Sequence, residues 1–324
     1  MFKNVVLSDG TLNEQEILKS EPIYQGMNGR FVERFYLTPT RSYIFKPLTH
    51  FSQSGKEVWI HEHVLQEFPA VYPKIMAHST SDVPERNWII LEDLGSIKHV
   101  FEEKLIMGLV KLVSAWHSLS NSKLQNAGFK GPKPYIEEIS ASLSCNKQEV
   151  MSTDWGLDLP QSVINTVLNQ IECYTFHEKK VISHGDLHVG NYGYAGNKIV
   201  VLDWEHAHFN SPYWDLYHLL DISHPDFPKN INIELRKLAI EFYLEESNSS
   251  AESAHRDTFY QGYLLFAAAF SIWMLLLIKE DLKREEARWS HEQLNRQLQE
   301  TKSSLRQCAK ELERINLNNK VVIQ

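Results

Sequence analysis

The opening stretch of the chain alternates short β-forming runs with turn clusters. Glu21–Gln25 leads into Gly26-Met27-Asn28-Gly29, and Phe31–Leu37 follows. Thr38-Pro39-Thr40 turns the chain again, and Ser42–Phe45 is a third apolar run that ends at Lys46. Runs of this length, bounded by Gly, Pro and Asn, predict strands. Over Glu57–Phe68 the period changes, with Val58, Trp59, Val64, Leu65 and Phe68 spaced as on a helix. Trp88–Leu91 is a short, wholly apolar strand broken by Glu92-Asp93-Leu94-Gly95. The predicted order is strand, strand, strand, helix, strand, hinge.

From Phe101 the pattern is helical. Leu105–Leu119 carries an apolar stripe and ends in Trp116-His117-Ser118-Leu119; Gln161–Phe176 is a second amphipathic helix. Val181–Asp203 reads as loop and hairpin around the turn Ala195-Gly196-Asn197, and helices resume at Ile233. Tyr263–Ile278 is apolar over 16 residues and is closed by Lys279, Glu280 and Asp281. A bilayer crossing needs about 20 residues, so this run predicts a buried helix and no membrane span. Beyond Lys279 the chain is charged and Gln-rich, without Gly or Pro. Leu298, Leu305 and Leu312 repeat every seven residues, with Leu294, Thr301, Cys308 and Ile315 in the complementary position. Two outcomes stay open for this tail: a coiled-coil homodimer, or an amphipathic helix packed on its own domain. The resulting division is 1–95, 96–280 and 281–324.

Composition narrows the function class. The 324 residues carry a formal charge of −8, with 43 % apolar and 23 % charged positions. An acidic chain is poorly suited to nucleic acid, where affinity comes from neutralising phosphates. The charge is compatible with a cationic small molecule, and equally with a plain acidic surface. Cys145, Cys173 and Cys308 are far apart, odd in number and outside any CxxC, which favours a reducing, cytoplasmic compartment. Met1–Ser20 lacks the basic-then-apolar pattern of a signal peptide.

The candidate chemistry lies in His184-Gly185-Asp186-Leu187-His188-Val189-Gly190-Asn191 and Leu202-Asp203-Trp204-Glu205. An Asp, an Asn five residues on and a second Asp twelve further suit a magnesium-phosphate site, because Mg²⁺ takes hard oxygen ligands and shares its shell with phosphates. Asp186 would orient or deprotonate an acceptor hydroxyl, with Asn191 and Asp203 holding Mg²⁺. A zinc site is disfavoured: Gly185 and Gly190 argue against a helix that would align His184 with His188, and His61 and His63 diverge at i,i+2.

This ordered motif resembles the catalytic loop and metal-binding segment of the aminoglycoside phosphotransferase/choline kinase family, relatives of the protein kinases. The resemblance covers about residues 20–280. It implies an α+β, two-lobed kinase-like fold: a small antiparallel-sheet N-lobe that binds nucleotide, a mainly helical C-lobe and a helical tail. It implies Asp186 as the catalytic residue, Asn191 and Asp203 as metal ligands, His184 as a loop brace and Asp215 as the residue that steadies the loop. Upstream it implies a phosphate-binding lysine at Lys46. Glu62 is the favoured ion-pair partner and Glu57 the rival. The Glu92 carbonyl and Leu94 amide would hold the base of ATP or GTP. Gly26 and Gly29 would form the phosphate loop, although Gly26-Met27-Asn28-Gly29-Arg30 departs from GxGxxG.

The acceptor that the resemblance implies is a small-molecule hydroxyl compound, such as an aminoglycoside-like antibiotic or an amino alcohol. Glu205, His206, Tyr213 and Trp214 are the candidates for its side of the site, where acidic and aromatic groups would suit a cation. Simple packing of Tyr213 and Trp214 is the other reading. A protein Ser/Thr kinase is disfavoured by His-Gly-Asp for His-Arg-Asp, by Asp-Trp-Glu for Asp-Phe-Gly and by the lack of Ala-Pro-Glu. The non-enzyme alternative is a silent kinase-like scaffold oligomerised through its C-terminal helix. Retention of Lys46, Asp186, Asn191 and Asp203 argues against it.

Overall fold

A computed structural model describes every residue except 1, 3, 27, 49–52, 154, 177–178, 248–252, 287 and 322–324. The expectations at Met27 and at the extreme ends of the chain therefore lie outside the described residues. The chain divides into two units, 1–98 with 121–128 and 193–207, and 99–120 with 129–192 and 208–324.

The first unit is built on an antiparallel sheet of five strands in the order β1-β2-β3-β5-β4. These are β1 (Lys19–Gln25), β2 (Phe31–Thr38), β3 (Arg41–Pro47), β4 (Ile75–Ser79) and β5 (Trp88–Glu92). Phe35, Tyr43, Phe45 and Ile90 bury one face with Val5. Because side chains alternate along β3, burying Phe45 turns Lys46 to the opposite face. The strand pattern missed β4, an edge strand whose residues are only half-buried or exposed in alternation. With one neighbour to pair, it needs no strong apolar stripe. The helix read over Glu57–Phe68 is α1 (Lys56–His63) followed by a 3₁₀ turn at Leu65–Glu67. A small sheet joins β6 (Ile97–Lys98), β8 (Tyr192–Ala195) and β9 (Lys198–Val201). Gly193 has no substitute there: a Cβ would stand 2.6 Å from the Lys98 carbonyl oxygen.

The second unit is mainly helical: α2 (Glu103–His117), α4 (Ile136–Cys145), α5 (Lys147–Ser152), α6 (Gln161–Cys173), α7 (Tyr213–Leu220), α8 (Ile233–Glu246), α9 (Ser253–Asp281) and α10 (His291–Val321). The short α3 (Ser122–Ala127) belongs to the first unit. In α2 the stripe Leu105, Ile106, Leu109, Val110, Val113 and Trp116 is fully buried, as its helical spacing requires. Two short strands, β7 (Val181–Ser183) and β10 (His208–Asn210), pair antiparallel, and the His184–Asn191 loop follows β7. This combination of an antiparallel sheet with a helical region is the α+β, kinase-like class that the motif implied.

The apolar helix needs a correction. α9 spans 29 residues, not the 16 of its apolar run, and the length of its stretch His255–Asp281, with a mean hydropathy of 1.9 over the most apolar window, suffices to cross a bilayer. Its residues Tyr263–Phe270 are nevertheless buried among other helices, and 72 % of the most apolar window lies inside the chain. It is a core helix because its own chain covers it.

The heptad seam is also filled from within the chain. α10 packs along α9, and Leu294, Leu298, Leu305, Cys308 and Leu312 are all buried. Ser304 Oγ donates to Asp221 Oδ1 (2.6 Å), and the Arg236 guanidinium donates to Gln307 Oε1 (3.0 Å). Four buried leucines at about 1.5–3 kcal/mol each rival the ~5–15 kcal/mol that stabilises a whole domain. Truncation after Lys283 should therefore abolish cooperative unfolding in a circular-dichroism melt. A truncated chain melting like the full one would contradict this packing.

Candidate active site

In the first unit, four charges meet behind β3. Lys46 Nζ stands 2.6 Å from Glu57 Oε2, 2.8 Å from Asp203 Oδ1 and 3.2 Å from Glu205 Oε2. Three carboxylates around one ammonium leave an excess of negative charge in a largely buried place. Burial and the Asp203 charge push the Glu205 carboxyl up to about 7, against the pull of Lys46. Burial likewise raises Glu57, while the surrounding carboxylates outweigh burial and hold Lys46 well above its usual value. Oxygens of Glu57, Asp203 and Glu205 lie within 4.8 Å of one another. Such hard oxygen donors with surplus charge fit a divalent cation such as Mg²⁺. Asp203 has φ 61°, in the left-handed region that non-glycine residues rarely adopt. Strain of this kind persists where the surroundings over-determine the backbone.

The lysine's helix partner is Glu57, which corrects the choice of Glu62. At 100° per residue, positions 57 and 62 lie about 140° apart on α1. With Glu57 facing Lys46, Glu62 turns outward, 57 % exposed, and comes only within 3.9 Å of His78 Nε2. Glu57→Gln should lower kcat/KM for nucleotide by about 10²-fold, and Glu62→Gln should leave it unchanged. Equal effects in a steady-state assay would contradict the assignment. Glu205 is likewise corrected: it belongs to the Lys46 cluster, with His206 Nε2 at 3.5 Å, and not to a separate acceptor wall.

Two predicted nucleotide-binding elements take simple forms. Glu92 ends β5 opposite Tyr43, and Leu94 follows in the connecting segment. Asp93 shapes that segment by accepting from Arg34, from Ser42 Oγ (2.7 Å) and from the Gly95 amide (2.9 Å). Between β1 and β2, the Gly26 amide donates to the Arg30 carbonyl (2.8 Å) and the Gly29 amide to the Gly26 carbonyl (3.0 Å). Gly29 has φ 80°, which suits a glycine at the tip of this hairpin.

In the second unit, Asp215 organises the His184–Asn191 loop. This fully buried carboxylate accepts from Ser183 Oγ (2.6 Å), the His184 amide (2.8 Å) and the Gly185 amide (3.2 Å). From α2 it also accepts from Trp116 Nε1 (3.0 Å) and His117 Nε2 (3.2 Å). Burial alone would raise the Asp215 carboxyl, but these hydrogen bonds hold it far below the usual range. His184 Nδ1 accepts from the Asp186 amide (3.2 Å), and Asn191 Nδ2 donates to the Asp186 carbonyl (2.8 Å), so both fix the turn. The Asp186 carboxylate meets Lys133 Nζ at 2.8 Å, and His188 Nε2 lies 3.6 Å away. Burial works to raise this carboxyl; Lys133 overrides it and keeps it well below its usual value.

Tyr213 and Trp214 are packing residues, a correction of their acceptor-side placement. Both are buried, and the Trp214 indole N–H donates to the Gly185 carbonyl (2.8 Å). Helix α7 turns them inward onto the loop and α9, with Tyr213 against Phe259 and Trp214 against Phe270. The sequence reading missed Lys133 and the pairing of Trp116 and His117 with Asp215. Only long-range folding reveals these contacts, since Lys133 lies 53 residues from Asp186 and Trp116 lies 99 from Asp215.

Of the predicted set, Asp186, Asn191, His184 and Asp215 belong to the helical unit, and Lys46 and Asp203 to the sheet unit. The stretch that carries the loop matches a known sequence pattern. Residues 110–247 match the model of the phosphotransferase enzyme family. Phosphotransferases of this family are kinases acting on hydroxyl groups, and the chain is an enzyme of that type. No curated protein sequence matches it. Among solved structures, aminoglycoside 2'-phosphotransferase-IIIa in its GDP complex is similar over 90 % of this chain and 94 % of its own, with a TM-score of 0.58 and 16 % identity. The choline kinase of Cryptosporidium parvum covers 95 % of each chain with a TM-score of 0.55 and 14 % identity. The choline kinase LicA of Streptococcus pneumoniae covers 89 % of this chain and 94 % of its own, with a TM-score of 0.52 and 17 % identity. At these identities the likeness is one of fold.

Proposed function

We propose that this phosphotransferase moves the γ-phosphoryl group of ATP or GTP to a hydroxyl of a small molecule. The observation that carries this reading is the buried cluster of Lys46 with Glu57, Asp203 and Glu205, in the same chain as a braced Asp186–Asn191 loop. Lys46 would neutralise the nucleotide phosphates. Asn191 and Asp203 would hold Mg²⁺, with Glu205 or Glu57 as further oxygen donors; when bound, the ion would screen phosphate charge. Asp186 would orient the acceptor hydroxyl and take its proton late, because its charge is already stabilised by Lys133. Glu92 and Leu94 would present backbone groups to the base, and Gly26 and Gly29 would allow close approach to the phosphates.

An amine-bearing acceptor is favoured by the groups beside Asp186. His188 stacks on His224 at 4.5 Å, with Phe227 5.4 Å and Trp289 5.9 Å from His224. Asp226 accepts from Trp289 Nε1 at 3.2 Å. An aromatic surface with a carboxylate attracts a cation. The three cysteines are free, in keeping with a reducing compartment.

The test is a thermal-shift measurement with ATP or GTP, with and without Mg²⁺, followed by phosphorylation assays with amino alcohols, aminoglycosides and neutral sugars. Mg²⁺-dependent stabilisation and turnover with an amine-bearing acceptor are expected. Absence of any nucleotide effect would refute the phosphotransferase reading, and turnover of neutral sugars alone would refute the acceptor class.

A further inference from the structure

Resting on the phosphotransferase reading, we infer that Lys133 is a further catalytic residue, whose ammonium spans the Asp186 carboxylate and the phosphoryl group in transfer. The sequence around it is built for delivery. Gly131-Pro132-Lys133-Pro134-Tyr135 places a proline on each side of the lysine. Each proline fixes its own φ and pushes the preceding residue, here Gly131 and Lys133, towards extended backbone. The arm is anchored at both ends. At Gly131 a Cβ would stand 2.5 Å from His208 Cε1, so only glycine lies this close to the imidazole. Tyr135 packs on His208 and Trp214, with ring centroids at 6.0 and 6.5 Å. Its amide is bound by Glu138 of α4 (2.7 Å). Trp214 in turn holds Gly185, next to Asp186.

A stiff arm thus brings Lys133 Nζ to 2.8 Å from Asp186 Oδ1, with 18 % of its side chain exposed. Other basic groups near Asp186 do not supply a cation. His188 Nδ1 accepts from the Gly190 amide (3.0 Å), so that nitrogen carries no proton and the ring is neutral. His218 faces the Trp214 carbonyl through Nδ1, and its Nε2 is buried without a partner. Burial holds both imidazoles well below their usual value. Among the described residues, Lys133 is the lysine or arginine that pairs with Asp186.

An ammonium has three N–H groups. The Asp186 contact uses one, and the others can meet non-bridging phosphoryl oxygens. In the transfer the acceptor oxygen bonds to the γ-phosphorus as the bond to the bridging oxygen breaks. The diphosphate leaves with that electron pair, and the hydroxyl proton passes to Asp186. Lys133 keeps its protons throughout. It neutralises the phosphoryl charge and holds Asp186 in line, in a loose transition state where proton transfer lags.

The test follows phosphate release from Mg-ATP and Mg-GTP, with water as acceptor, so that no acceptor need be known. Lys133→Met should lower kcat by about 10²–10³-fold, the loss typical of one missing transition-state donor, with nucleotide KM and thermal shift unchanged. Lys133→Arg should recover part of the rate, and Lys133→Ala should regain activity with added ethylammonium. A Lys133→Met enzyme as fast as wild type overturns the role. So does a Lys133→Ala protein that ethylammonium fails to restore, which decides the matter if Lys133→Met does not fold. Wild-type protein with no Mg²⁺-dependent turnover would instead overturn the phosphotransferase reading itself.

Discussion

Asp186→Asn should reduce kcat by about 10²–10⁴-fold, the range for losing a positioned acid–base group, while nucleotide affinity stays nearly intact. The amide keeps the size of the carboxylate but has no charge and little basicity. It can neither take the acceptor proton nor hold Lys133 by an ion pair. The backbone of the loop should survive, because the Asp186 carbonyl still accepts from Asn191 and its amide still donates to His184. The Lys46 cluster in the sheet unit is untouched. Single-turnover kinetics with nucleotide-binding titrations separate the two effects. Near-normal turnover would show that Asp186 is not the catalytic residue.

Asp215→Ala should destabilise the helical unit by about 3–5 kcal/mol, the cost of removing one partner from a buried charge network. Five donors, from Ser183, His184, Gly185, Trp116 and His117, would lose their acceptor. The pH dependence has a definite sign. The folded-state carboxyl is depressed below the unfolded value of about 3.9. Its stabilisation is therefore present in full above about pH 4 and is lost as pH falls through the acid range. Urea unfolding at pH 7 should show the whole gap between wild type and Asp215→Ala, and the gap should shrink in acid. A gap of under about 1 kcal/mol at pH 7, the net worth of one ordinary hydrogen bond, would refute the hub role of Asp215.

Local pattern carried much of the fold. Strand runs near Phe31–Leu37, Ser42–Phe45 and Trp88–Leu91 became β2, β3 and β5, because alternation against a buried face is itself local. The same logic failed for β4, whose edge position leaves little apolar signal. It also understated α9, where polar residues before Tyr263 continue the helix.

The division at the candidate site is sharper. The order of Asp186, Asn191 and Asp203 along the chain carried the resemblance that pointed to the class of chemistry, because carboxylate and amide oxygens are the hard donors that suit Mg²⁺ and phosphate. Which glutamate meets Lys46 was decided by the rotation of α1, which turns Glu57 inward and Glu62 outward. Whether the heptads of α10 pair between chains or within one was decided by the apolar face of α9 lying beside them. That Lys133 stands on Asp186, and that Tyr213 and Trp214 pack the loop, follows from where distant segments dock. A linear sequence records the type and spacing of its groups. Contacts between groups 50 or more residues apart depend on the packing that brings their backbones together, and that packing exists only in the folded chain.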